Sequence, residues 1–202
     1  MASVARDIGI ERKVVEEYFC ILEDLLIAER VPIFQKRAKR KLSAHPKFYF
    51  FDCGVYRTLR PSGPFDRPEG VDKVAFETLI YQEIRALNDY LRWGYEIFTW
   101  RTQTKEEVDF VLYGKKGIHA IEVKYSERIR DNDLKALEYF LTDYPSSKAW
   151  IIYFGKEPHF YLQGQVQAIP VTAFFEKGAA FFLSNSSTMQ TAQLKDEETL
   201  LE

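Results

Sequence analysis

The chain has 202 residues, with 28 lysines and arginines against 30 aspartates and glutamates and a formal net charge of -2. That near-balance excludes a global electrostatic pull toward nucleic acid, so any such binding has to come from a local patch. At 46% apolar and 15% aromatic, the composition is that of an ordinary globular protein with one sizeable core, or one core and a small appended module. No apolar run reaches the roughly 20 residues a membrane helix needs. The opening residues Met1 to Lys13 lack the apolar stretch of a secretory signal, so a cytoplasmic protein with no membrane contact is expected. Cys20 and Cys53 form no CxxC pair. They are expected to be small buried apolar residues, not parts of a disulfide frame or a zinc site.

Along the chain, Val14, Tyr18, Ile21, Leu22 and Leu25 recur at spacings of three and four, which predicts one face of a helix between Ile10 and Ile27. A turn at Val31-Pro32 leads to the basic run Lys36, Arg37, Lys39, Arg40 and Lys41. A helical unit followed by a basic hairpin is the pattern of a winged-helix module, whose wing would bind phosphate; a solvated hairpin gives the same pattern. Lys47 to Phe51 reads as a buried strand that stops at Asp52-Cys53-Gly54. Pro61 to Gly70, with three prolines and two glycines, reads as a linker. Phe76, Leu79, Ile80, Ile84, Leu87 and Leu91 then mark a helix from Val71 to Trp93, with Gly94 as its stop.

Three strand-like runs follow, Tyr95 to Arg101, Glu107 to Tyr113 and Ile118 to Tyr125. A helix is expected from Asp131 to Tyr144, strands from Lys148 to Phe154 and His159 to Leu162, and a closing helix from Val171 to Phe182. The polar tail from Ser184 is expected to be disordered. A helix, three strands, a helix and a strand give an α/β fold with a mixed sheet flanked by helices. The expected division is a winged-helix-like module at residues 1–46, the sheet domain at 47–183 and the tail at 184–202. The aromatic pairs Phe50-Phe51, Phe174-Phe175 and Phe181-Phe182 are expected in the core.

Alternate side chains of a strand share a face. Val108, Phe110 and Leu112 are therefore expected on one apolar face, with Glu107 and Asp109 opposite. Likewise Ile121 and Val123 face inward while Glu122 and Lys124 project the other way. If the two strands pair as a hairpin, Asp109, Glu122 and Lys124 converge. Charge at a sheet centre costs several kcal/mol as an order of magnitude when unpaired, so it needs a reason. Two carboxylates supply hard oxygen ligands of the kind Mg²⁺ takes, completed by water. A nearby lysine adds fixed positive charge for a reacting phosphate. The bland alternative is a Glu122–Lys124 or Asp109–Lys124 ion pair on a solvated face, and Glu107 divides evenly between a further site acid and a solvated residue. His45, His119 and His159 are scattered and take no catalytic or metal role.

Asp109 followed by Glu122-Val123-Lys124 resembles the PD-(D/E)xK nuclease superfamily, and Phe76-Glu77, Gly94-Tyr95-Glu96-Ile97 and Glu107-Val108-Asp109-Phe110 resemble its helix Glu, glycine turn and acidic strand. The resemblance implies a restriction-endonuclease-like αβββαβ core over about Val71 to Phe154. It implies Glu77 as an accessory acid, Asp109 and Glu122 as ligands of Mg²⁺ or Mn²⁺, and Lys124 as the catalytic lysine. Val108 stands where the family has proline. Over nearly the whole chain, Ile8-Gly9-Ile10, Tyr18 with Ile21-Leu22-Glu23-Asp24, and Pro46 to Val55 resemble the C-terminal half of a prokaryotic AAA-type P-loop ATPase family. That likeness implies an ATPase module upstream of a winged helix and this domain. No Walker A motif occurs here, so the chain holds no ATP site of its own. Two functions follow as expectations: metal-dependent phosphodiester hydrolysis of DNA, or a non-catalytic module coupling an upstream ATPase to nucleic acid or another partner.

Overall fold

The computed structural model describes residues 2–36, 38, 40–42, 46–60 and 68–183. Its centre is a six-stranded mixed sheet in the order β3-β4-β5-β6-β8-β7. The strands are β3 (Glu96–Arg101), β4 (Glu107–Gly114), β5 (Gly117–Lys124), β6 (Lys148–Tyr153), β7 (His159–Tyr161) and β8 (Val166–Pro170). β3, β4 and β5 form an antiparallel meander, and β6 then lies parallel to β5 and β8 parallel to β6. The crossover between β5 and β6 is helix α5 (Asp131–Asp143), as a parallel connection requires. The order from helix through three strands, helix and strand matches the sequence expectation.

Both faces of this sheet are covered. Trp150 and Ile152 of β6 pack with Phe76, Ile80 and Ile84 of α4 (Pro68–Tyr90) and Phe174 of α6 (Val171–Leu183). Ala149, Ile151 and Tyr153 pack with Leu137 and Phe140 of α5 on the other side. A strand buried on both faces has no polar side to show, which is why Lys148 to Tyr153 is apolar after its first residue. Each fully buried Leu, Ile or Phe here contributes about 1.5–3 kcal/mol. α4 opens on a proline, whose missing N–H costs nothing in a first turn. It is followed by Gly94 at φ +72°, the left-handed region that glycine enters freely. Asn88 clamps the turn into β3, accepting from Tyr95 N at 2.9 Å and donating to Tyr95 O at 3.0 Å.

The first part of the chain holds α1 (Ala2–Ile8), α2 (Arg12–Asp24) and a two-stranded sheet of β1 (Ala28–Val31) and β2 (Lys47–Phe50). Gly9 at φ +69° separates the two helices; α2 falls within the helix expected between Ile10 and Ile27, and α1 before it was not expected. The inward face of α2 is also rotated from the expected one. Val15 is buried and Phe19 packs on Phe48, whereas Val14, Tyr18, Ile21 and Leu25 are exposed. Val15, Phe19 and Leu22 carry the same three-and-four spacing one residue on, and periodicity alone does not choose between the two stripes.

Asp52-Cys53-Gly54 starts a helix as well as ending a strand. Asp52 accepts from Val55 N at 2.9 Å and so caps α3 (Cys53–Leu59). Cys20 is exposed and Cys53 half-buried, so neither is the buried residue expected. Of the aromatic pairs, Phe174 is buried but Phe51 and Phe175 are exposed; the side chains of Phe181 and Phe182 lie outside the described residues, as do Pro61 to Arg67 of the linker and the tail from Ser184.

The segment between β1 and β2 runs along the β3 edge. Thr99 exchanges backbone hydrogen bonds with Pro32 and Phe34, and Leu42 bridges to Thr102. Phe34 is fully buried in the α5-side cluster beside Trp100 and Phe140. Among the described residues, no helix is long and apolar enough to cross a membrane.

Candidate active site

The ladder between β4 and β5 runs from Gly114↔Gly117 to Phe110↔Ile121 and stops there. On its other edge, β4 carries an irregularity: Phe98 pairs with Val111 but Trp100 with Val108, so Asp109 and Phe110 of β4 together oppose the single residue Thr99 of β3. An extra residue of this kind breaks the alternation of faces. Val108 accordingly packs on the α5 side, while Phe110 and Leu112 pack on the α4 side. This corrects the expectation that the three share a face, and it brings Asp109 to the α4 side next to Phe110.

There the Asp109 carboxylate meets residues that sequence reasoning had not placed. Lys47, the first residue of β2, sets its Nζ 2.9 Å from Asp109 Oδ1 and 2.7 Å from Glu77 Oε1, and it also pairs with Glu107. Tyr49 donates its hydroxyl to the same Glu77 oxygen. The second Asp109 oxygen accepts from Val123 N at 2.9 Å, closing by side chain the ladder position that the β4 backbone has left. Arg101 approaches the other Glu107 oxygen at 3.3 Å. Lys47 and Tyr49 were foreshadowed only by their i, i+2 spacing at the head of an aromatic strand, which gives them a common face.

Glu122 and Lys124 point toward α5. Lys124 Nζ lies 2.8 Å from Glu122 Oε1 and 3.5 Å from Asp133 in the first turn of α5. Glu122 is 7% exposed, and its Oε2 is buried without a hydrogen-bond partner among the described residues. An orphan acceptor of this kind costs about 1–3 kcal/mol, more when charged. Burial pushes the Glu122 carboxyl well above the usual carboxylate range, and the neighbouring Asp109 charge pushes it further. Glu77 is raised for the same two reasons, burial and then Asp109. Burial alone would lower Lys47 and Lys124, but the carboxylates around each outweigh it and both are raised. All four predicted acid and base residues, Glu77, Asp109, Glu122 and Lys124, therefore belong to one electrostatically linked cluster, and Glu107 joins it.

Asp109 and Glu122 are hard oxygen donors of the kind Mg²⁺ or Mn²⁺ takes, and Glu122 Oε2 has no other partner among the described residues. Among the described residues, no group of three or more His, Cys, Asp or Glu side chains is arranged around a metal-sized point.

The basic run is partly engaged elsewhere. Lys36 pairs with Glu96 at 3.0 Å and sits 3.9 Å from the Tyr113 ring centroid; Arg40 binds buried Asp143 at 2.8 Å and lies over Tyr139. Lys41 accepts from Gln103 N through its backbone carbonyl. Arg37 and Lys39 lie outside the described residues.

Fold and site together define a mixed α/β domain with an acidic, lysine-bearing cluster where two central strands part. Residues 74–174 match the family described as a domain of unknown function, DUF4143, and the chain belongs to that family. Residues 1–66 match a second domain of unknown function, DUF8612. No curated protein matches the chain.

Proposed function

We propose that the domain is a metal-dependent phosphodiesterase of the PD-(D/E)xK type, built on a restriction-endonuclease-like core and acting on DNA. The observation that carries this reading is Glu122 Oε2, a buried carboxylate oxygen without a hydrogen-bond partner among the described residues, beside Asp109 and Lys124. A fold gains nothing from such an atom, whereas a cation ligand needs one. Asp109 and Glu122 would hold Mg²⁺ or Mn²⁺; the ion, when bound, supplies a water of lowered pKa and charge for the phosphate oxygens. Lys124 sets its ammonium beside that carboxylate, where it neutralises charge gathering on a phosphate. Glu77 acts at one remove, fixing the Lys47 ammonium next to Asp109. The N-terminal unit, in this reading a winged-helix-like module, would place the backbone of DNA through the basic run from Lys36 to Lys41. Family membership supports an ATPase context, since the domain is common in ATPase-associated proteins, and the chain is read as cytoplasmic.

A second reading has its own observation. Lys47, Lys124 and Arg101 already pair with Glu77, Glu107, Asp109 and Glu122, so much of the cluster's charge is balanced internally. That favours a silent site in a module that couples an ATPase to a partner. Cleavage assays on single- and double-stranded DNA and on RNA with Mg²⁺ or Mn²⁺ decide between them. Metal-dependent cleavage lost in Lys124→Ala supports the enzyme, and no cleavage with no Mn²⁺ binding at millimolar concentration leaves the coupling module.

A further inference from the structure

The acids of the site stand on two different parts of the fold from the cation that neutralises them. Asp109 and Glu107 are on β4 of the central sheet and Glu77 is on α4. Lys47 opens β2, which pairs with β1 in the separate two-stranded sheet. Its ammonium nevertheless reaches all three acids, at 2.7 Å from Glu77, 2.9 Å from Asp109 and in contact with Glu107. With Val123 N on the other oxygen, both oxygens of Asp109 are engaged. Glu122 Oε2 is buried with no hydrogen-bond partner among the described residues.

Resting on the metal-site reading above, we propose that Lys47 is a built-in counter-ion that holds the site closed, and that a divalent cation at Asp109 and Glu122 binds by displacing it. The positive charge of an ammonium against a carboxylate substitutes for that of a metal, but two cations sharing one carboxylate oxygen repel each other. Metal entry therefore requires Asp109 Oδ1 to be given up by Lys47. Since Lys47 is carried by the β1–β2 hairpin, a ligand that shifts this hairpin changes the metal affinity of the sheet domain. The N-terminal unit thereby acts as a latch on the site. Tyr49, two residues on in the same strand, secures the latch by holding Glu77.

Calorimetric titration of the full chain with Mn²⁺ tests the displacement directly. Lys47→Met removes the competing charge and is expected to tighten Mn²⁺ binding by about tenfold or more. Lys47→Arg keeps a cation in place and is expected to bind Mn²⁺ as the wild type does. Thermal melts give a second measure: Mn²⁺ should raise the Tm of Lys47→Met further than that of the wild type, including where Lys47→Met is poorly folded without metal. Unchanged or weaker Mn²⁺ binding by Lys47→Met, in a protein whose binding Asp109→Asn abolishes, overturns the latch and leaves the metal site standing. Mn²⁺ binding to neither the wild type nor Lys47→Met overturns both.

Discussion

The hairpin of β4 and β5 buries polar side chains at two places and treats them in opposite ways. Near its turn, His119 is 2% exposed, and burial, then the nearby Lys148 charge, pushes its pKa down to about 4. Trp150 donates to its Nδ1 at 3.1 Å, so the neutral ring carries its hydrogen on Nε2, facing the Tyr95 hydroxyl at 3.0 Å. Both ring nitrogens are satisfied, and no charge is buried. At the open end of the same hairpin, Asp109 and Glu122 are almost as deeply buried, yet charged lysines surround them and one oxygen stays unpartnered. The first arrangement is how a fold disposes of a polar side chain. The second is what a fold would replace by apolar residues if stability were all that counted.

The largest expected effect lies at the open end. If the proposed metal-dependent phosphodiesterase site is live, Asp109→Asn should abolish cleavage, a loss of roughly 10²-fold or more, and also Mn²⁺ binding, because it removes a proposed metal ligand. Lys124→Ala should abolish cleavage to the same extent but keep Mn²⁺ binding, because an ammonium does not coordinate. Calorimetry beside a cleavage assay separates the two. If both variants behave as the wild type, the open end is no more than a second His119, and the contrast collapses.

Next in size is the pH response of the closed end. His119 is protonated readily in the unfolded chain, near pH 6.5, but only near pH 4 in the folded one. Its contribution is therefore complete above pH 6.5 and is lost as the pH falls toward 4, by up to about 3 kcal/mol. Denaturant unfolding across that range should show this loss in the wild type and a correspondingly flatter profile in His119→Phe. The carboxyls at the open end run the other way. With their folded-state values raised, the stability that Glu77 and Glu122 contribute is present at low pH and is lost as the pH rises through those values. At neutral pH, Glu122→Gln should thus raise Tm while weakening Mn²⁺ binding, a trade that His119 does not offer. A fall in Tm instead would mean that Glu122 is held for its ion pair alone.

How far the sequence foretold this contrast depends on which interactions are local. The order of elements from Val71 on followed from period and turn signals, but the helix ends at Tyr90 with Arg92 already at φ +49°, ahead of the Gly94 that the sequence offered as its stop. Glu122 and Lys124 were readable because strand alternation sets their mutual placement on the α5 side. The expectation that Asp109 shares that face fails, since Asp109 turns to the α4 side beside Lys47 and Glu77. The irregularity that sends Val108 to the other face was not readable, because it arises from the pairing of β4 with β3. Nor was Lys47, which lies 62 residues from Asp109 and meets it only through tertiary folding. β1 and β8 were not expected: Ala28–Val31 carries the charged pair Glu29-Arg30 and Val166–Pro170 ends on a proline, so neither shows the apolar aromatic run that marked Lys47 to Phe51. The outward stripe on α2 was mistaken for the inward one because both have helical spacing.

The smallest expected effect concerns the basic run, where the same contrast between fastening and function recurs. Lys36 is half-exposed and spends its charge on Glu96 and the Tyr113 ring, while Arg40 offsets an Asp143 that is otherwise buried. Both fasten the connecting segment to the sheet domain, and an exposed cation used this way contributes at most about 1 kcal/mol. Lys36→Ala and Arg40→Ala should each lower stability by that amount or less. Of the two, Arg40→Ala should cost more, because it strands a carboxylate at 5% exposure. If the run binds DNA, its phosphate contacts fall mainly to the remaining cations Arg37, Lys39 and Lys41. The Lys36→Ala/Arg40→Ala double variant should then change the slope of log affinity against log salt by less than about one, and neutralising all five should reduce it by more. A full loss of slope in the double variant alone would show that Lys36 and Arg40 leave their partners to hold phosphate, and the connecting segment would then belong with the open end of the hairpin instead of the closed one.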